Sequence, residues 1–223
     1  MIFPPFIILF VLAFFFILIL LFGFIHWGLI GYAFAKIGIP PEQMFTLLFL
    51  CLFGSFINIP IKKIPRSQPQ LVLEEIVSYW GIRFRVPKYR PGYTIIAVNV
   101  GGAVIPSLIS IYLLLQFDHL LWAAIAITIV SLVTHRFSRP VPGIGITVPL
   151  FIPPLVSAIV ALILSPDHAP ALAYIAGTLG TLIGADLMNL DKLKDLGAPV
   201  ASIGGAGTFD GIFFTGILAV ILA

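Results

Sequence analysis

From Met1 to Ala35 the chain carries no Lys, Arg, Asp or Glu, and six further apolar runs follow it. Runs of this length decide what the chain can become, because about 20 helical residues cross a ~30 Å hydrocarbon core. The composition agrees: 60% of the 223 residues are hydrophobic and 9% are charged, where about 25% charged is usual for a soluble domain. Alternating strand patterns are absent over most of the chain, so helices rather than a barrel satisfy the backbone. The reading is an all-α fold, a polytopic transmembrane helix bundle of about seven spans forming one integral membrane domain over 1–223.

The spans are expected near 4–32, 44–61, 93–115, 119–135, 143–164, 169–190 and 204–222. The first run has no basic n-region and is too long for a secretory signal, so it reads as a retained span. Gly38-Ile-Pro-Pro41 ends it, because Pro40 and Pro41 cannot continue a helix interior. Between the second and third spans lies a hydrophilic insert, Lys62 to Pro91. Within it Ile82-Arg-Phe-Arg-Val-Pro87 alternates apolar and basic residues after Trp80-Gly81, which predicts a small two-stranded hairpin around Trp80–Val86.

Charge sets the expected orientation. Lys62, Lys63, Arg66, Arg83, Arg85, Lys88 and Arg90 fill the insert, Arg136 and Arg139 follow the fourth span, and Lys192 and Lys194 follow the sixth. The connections at Asp118-His119 and Asp167-His168 hold no Lys or Arg. Basic loops mark the cytoplasmic side, so the insert and the N-terminus are expected there and the C-terminus outside. The net charge of +3 comes from these loops, which makes membrane lipid and not nucleic acid the expected partner. Cys51 is the only cysteine, so no internal disulfide is available. His26, His119, His135 and His168 are scattered without ligand spacing, so no metal site and no cofactor are expected.

Two carboxylates stand apart from this pattern. Asp186 ends the glycine-rich run Gly177-Thr-Leu-Gly-Thr-Leu-Ile-Gly-Ala-Asp186, and Asp210 lies in Ser202-Ile-Gly-Gly-Ala-Gly-Thr-Phe-Asp210-Gly. An Asp at a helix centre costs roughly 2.5–3.5 kcal/mol on insertion scales, so such a residue is functional by default. In an antiparallel pair of helices the two would sit at similar depth, and the surrounding glycines allow close approach. Two carboxylates a few Å apart share one proton. The ionised member can then activate water while its protonated neighbour hydrogen-bonds a carbonyl. Asn99, Asn189, Gly205 and Gly207 are the expected substrate-binding positions. Asn99 and the Pro142–Pro154 stretch are expected to face the bundle interior near the aspartates.

At these residues the chain resembles the GxGD-type intramembrane aspartyl proteases, which include presenilin, signal peptide peptidase and the prepilin peptidases. Gly205-Ala-Gly207-Thr-Phe-Asp210-Gly-Ile-Phe-Phe214 is similar to their glycine-flanked aspartate before an apolar helix, although Thr208 and Phe209 intervene here. Asp186 matches their first aspartate, and Gly54-Ser-Phe-Ile-Asn58 is similar to a prepilin peptidase stretch. The resemblance implies a transmembrane peptide substrate, cleaved near the cytoplasmic face by Asp186 and Asp210. Over its whole length the chain resembles a family of prokaryotic multispanning membrane proteins of unassigned function. The segments that carry this are Gly54–Pro60, Asn99–Pro106, Pro142–Pro154, Gly177–Leu190 and Ser202–Gly216. Two other functions stay open: a small-solute or cation transporter using the same residues, and a structural subunit without catalysis.

Overall fold

The computed structural model describes residues 15–17, 23, 28–65, 70–77, 83–90, 92–141, 145–195, 199–205 and 211–223. The chain is mostly helical, with seven short strands among the described residues. A helical stretch at 28–36 precedes α1, Pro41–Gly54. Pro41 opens α1 where a missing N–H costs nothing, and Glu42 complements the positive helix end. The other helices are α2 (Ile105–Leu115), α3 (Leu120–Phe137), α4 (Ile152–Leu164), α5 (Ala169–Thr181) and α6 (Gly211–Leu222).

Helix α5 is the centre of the bundle and packs against α2, α3, α4 and α6. Ten of its residues are buried, including Leu172, Tyr174 and Ile175 at 0% exposure. Small residues permit this. A Cβ on Gly180 would stand 2.7 Å from Val130 of α3, and one on Gly216 of α6 would stand 2.6 Å from the Thr178 hydroxyl. The close-approach expectation therefore holds, but its glycines serve three neighbours: Gly180 and Gly184 meet α3, while Gly177 meets Ala219 of α6 and Ser157 of α4.

Three strands join the bundle at one end. β1 (Asn58–Pro65) pairs antiparallel with β4 (Tyr93–Asn99), and β4 pairs parallel with β7 (Val200–Ile203), giving the order β1-β4-β7. The β1–β4 register slips between Pro60 and Lys62, where Pro60 has no N–H to give to the ladder. Ile96, Ala201 and Ile203 pack with Ala103 and Leu193 to form a small core beneath this sheet. β2 (Gln70–Val77) and β3 (Arg83–Arg90) form an antiparallel hairpin in the register Val77↔Arg83 to Gln70↔Arg90. The expected hairpin is thus present and longer than Trp80–Val86; residues 78–82 lie outside the described set. β5 (Arg139–Val141) and β6 (Gly145–Thr147) make a second, shorter pair.

The sheet corrects the all-α reading. The segment expected at 44–61 leaves the helix at Gly54 and becomes β1 from Asn58. The one expected at 93–115 begins as β4, and the one at 143–164 is helical only from Ile152. The one at 204–222 is helical from Gly211. Lys62 to Pro65 belong to β1, so the insert is not a detached loop. The physical reason is that a run of four to eight apolar β-branched residues, such as Thr94-Ile-Ile-Ala-Val98, reads as strand or helix equally well by periodicity. Among the described residues, two helices are long and apolar enough to cross a membrane: Leu120–Phe137 and the continuous run Pro166–Leu193. Most of the first expected span, 4–32, lies outside the described residues.

Candidate functional site

The strands β4 and β7 run parallel, and each ends in a glycine-bearing turn: the π-helical turn Val100–Val104 after β4, and Gly204-Gly205 after β7. The two turns touch. Gly204 sits at φ +82, and a Cβ there would lie 2.5 Å from Ala103 Cβ and 2.6 Å from its nitrogen. Only glycine fits both demands. This contact fixes where the Gly204 amide points.

It points at Asp186. The Gly204 N–H donates to Asp186 Oδ2 at 2.8 Å. Asp186 closes a π-helical turn, Leu182–Asp186, that follows α5 and leads into a 3₁₀ segment, Leu187–Asp195. π turns inside helices often mark functional positions, because one turn holds an extra residue and shifts the face that follows. Gly184 makes the turn fit: a Cβ there would stand 2.2 Å from the Ser131 carbonyl of α3.

Asp186 lines a cavity of ≈320 Å³. Its walls come from Gly145–Leu150 and Pro153, from Thr181, Ala185 and Leu193, from all four residues of β7, and from Gly205, Gly211, Ile212 and Thr215. Of the stretch Pro142–Pro154 expected to face the interior, Gly145–Leu150 and Pro153 line the cavity, whereas Leu150 and Phe151 are largely exposed; 142–144 lie outside the described residues. Asp210 and Gly207 also lie outside the described residues. Gly211, which follows Asp210 in the sequence, is in the cavity wall, and so is Gly205, an expected substrate-binding position.

The two asparagines are placed elsewhere. Asn99 is 1% exposed and caps the turn after β4. Its Oδ1 accepts from the Gly102 N–H at 2.7 Å, and its Nδ2 donates to the Ser55 carbonyl at 2.7 Å and to Asn58 Oδ1 at 3.1 Å. Asn58 Oδ1 also accepts from the Ser202 hydroxyl, which ties β1, β4 and β7 together one residue before the cavity's Ile203. Asn189 is fully buried, and its Nδ2 donates to Ser138 Oγ and to the Gly184 and Ala185 carbonyls. Lys192 Nζ donates to its Oδ1 at 2.6 Å. Asn189 thus satisfies carbonyls released where the π turn becomes 3₁₀. Both asparagines shape the backbone round the cavity and neither is in its wall.

Sequence reasoning missed Thr181, Thr215 and Ser202, all cavity-lining hydroxyls. Thr181 carried a signal, since it lies in the same glycine-rich run five residues before Asp186. Among the described residues no group of three or more His, Cys, Asp or Glu could hold a metal ion.

Residues 52–222 match the family described as "Protein of unknown function (DUF1614)". The match covers most of the chain, and the protein belongs to that family. No curated protein and no solved structure matches it.

Proposed function

We propose that this chain is an intramembrane aspartyl protease whose catalytic pair is Asp186 and Asp210. The observation that carries the reading is the shared cavity wall: Asp186 and Gly211, the neighbour of Asp210 in sequence, line the same ≈320 Å³ space. One carboxylate takes a proton from a water molecule as its oxygen attacks the scissile carbonyl carbon. The other, protonated, gives its proton to the carbonyl oxygen. As the tetrahedral intermediate collapses, one of its hydroxyls returns a proton to the second carboxylate, and the first carboxyl passes the water's proton to the departing amine nitrogen. β7 supports a peptide substrate, because it is the edge of its sheet and all four residues line the cavity. An extended chain can pair with such an edge.

The chain is read as a multispanning membrane protein of seven spans. The insert around β2 and β3 and the N-terminus are cytoplasmic, and the C-terminus is outside. Depth separates this reading from its rival. Asp186 is the twenty-first of the 28 residues of Pro166–Leu193. It therefore lies about 10 Å past the midpoint at about 1.5 Å per residue, on the side of Lys192. A small-solute or cation transporter would hold its site near the bilayer centre; the π turn in a long apolar helix is the feature that favours it.

The test is cleavage of transmembrane peptides by the full chain reconstituted in liposomes. Asp186→Asn and Asp210→Asn should each reduce cleavage by about a thousandfold or more, because Asn cannot exchange the proton. The double variant should be no worse than either single, as for groups that act as a unit. Cleavage that survives either substitution ends the reading. So does a substrate flux, with no peptide cut, that changes its pH dependence in the same variants.

A further inference from the structure

We propose that the free edge of β1 is a binding site for one anionic glycerophospholipid. This goes beyond the protease reading: it rests on the chain spanning a bilayer and not on Asp186 or Asp210. β1 is the sheet edge opposite β7, and every residue of it except Ile64 is exposed. Depth makes that edge a difficulty. Ile203 of β7 stands beside Val98, and Asn58 stands beside Asn99. Asn58 is therefore level with Gly204, which bonds Asp186 of the spanning run Pro166–Leu193. Asp186 lies six residues before Lys192, which is about 9 Å of helix. An open sheet edge does not face acyl chains, because nothing among them accepts from its N–H groups.

Asn58 carries the donors in question. The Val100 N–H donates to the Ile57 carbonyl. By the alternation of an antiparallel ladder, Asn58 then turns its own N–H away from β4. Its side chain is fixed as well. Oδ1 accepts from Asn99 Nδ2 and from the Ser202 hydroxyl, which leaves Nδ2 as a donor at an exposed position.

The order of groups along the edge selects the occupant. Phe53, Phe56 and Ile57 are exposed at the α1 end, and Asn58 follows them. Lys62 and Lys63 are exposed toward the other end, where Pro65 pairs with the exposed Tyr93. A glycerophospholipid presents acyl chains, ester carbonyls and phosphate in the same order. Its carbonyls accept from Asn58, its phosphate meets the two ammonium groups, and Tyr93 lies at headgroup level as interfacial tyrosines do. β1, β4 and β7 carry no acidic residue to repel the phosphate. A second copy of the strand fits this edge poorly, since Pro60 and Pro65 give no N–H and the lysines repel their counterparts.

Native mass spectrometry of the full chain in detergent reads bound lipids one at a time. Lys62→Gln and Lys63→Gln should each weaken the first phosphatidylglycerol site about fivefold, the share of one cation at an anionic surface. The wild type should accordingly hold phosphatidylglycerol about twentyfold more tightly than phosphatidylcholine. Asn58→Asp keeps the acceptor for Asn99 and Ser202 and removes the amide donors, so it should weaken both lipids, which share the ester carbonyls. Arg136→Gln with Arg139→Gln, exposed at the end of α3 and the start of β5, should leave the first site unchanged. An equal loss there means diffuse attraction to a basic surface and overturns the site. So does a Lys62→Gln, Lys63→Gln double variant that binds as the wild type does. Glycerol phosphate that displaces the lipid at equal concentration shows a headgroup site alone and overturns the lipid assignment. A wild type that stays dispersed without detergent removes the membrane reading and the lipid site with it. Equal binding of the two lipids by a chain that needs detergent overturns the lipid site alone.

Discussion

Of the two helices of spanning length among the described residues, α3 runs for 18 residues without a break, while Pro166–Leu193 changes its hydrogen-bond pattern three times over 28. Both are apolar, with mean hydropathies of 1.7 and 1.4, but 28% of α3 is buried against 61% of the 18 most apolar residues of the other. The outer face of α3 presents Leu121, Ile129 and Leu132, and its inner face carries Ala123, Ala126, Val130, Ser131 and Thr134. The central helix has no outer face over Leu172–Thr178, where every residue is buried. Irregular backbone is tolerated at such depth only where neighbouring protein satisfies the freed groups. The enclosed helix holds the Leu182–Asp186 π turn, the carboxylate and the unmet hydroxyl of Thr181, while α3 keeps its own unmet hydroxyls, Ser131 and Thr134, on its buried inner face. Enclosure, more than hydropathy, decides where this bundle can keep a polar site.

The two helices approach most closely at Gly184. Its hypothetical Cβ meets the Ser131 carbonyl at 2.2 Å, and a backbone atom cannot rotate away as a side chain can. Gly184→Ala should push α3 from the π turn and cost about 3 kcal/mol. Denaturation in detergent, followed by tryptophan fluorescence, measures it. A loss under about 1 kcal/mol would mean that the two helices are not held this closely.

A smaller loss is expected at Asn189. Removing its amide leaves the Gly184 and Ala185 carbonyls and Ser138 Oγ without that donor. Asn189→Ala should cost about 2 kcal/mol. If the 3₁₀ segment reorganises to cover those carbonyls, the loss disappears and the cap is not what holds the π turn open.

How much of this was legible beforehand depends on the range over which each signal acts. Asp186 announced itself, because a carboxylate in an apolar run is costly wherever the chain places it. The glycines announced close packing but not its direction, since Gly177 and Gly180 lie on one helix and meet different neighbours. β4 and β7 could not be read, because more than 100 residues separate two short runs that stabilise each other only once they are paired. Asn99 was noticed for its chemistry. Its partners Ser55 and Asn58 lie on other elements, and nothing in its own neighbourhood says that its hydrogen bonds are already taken.

The smallest effect expected is at Leu132, on the outer face of α3. Leu132 is 57% exposed on α3. If that face meets acyl chains, Leu132→Ala exchanges one apolar contact for another, because lipid tails are as apolar as leucine and little drives side chains together. The expected cost is within about 0.5 kcal/mol, the usual range for surface positions. Leu172→Ala on the central helix removes the same atoms from a fully buried place and leaves a cavity, at a cost of about 2 kcal/mol or more. Measuring both variants in the same bilayer separates the two helices by environment alone. Equal losses would mean that the exposed face of α3 is covered in the assembled protein, by a second copy or by another chain. Crosslinking from an Ile129→Cys variant on the same face would then show which.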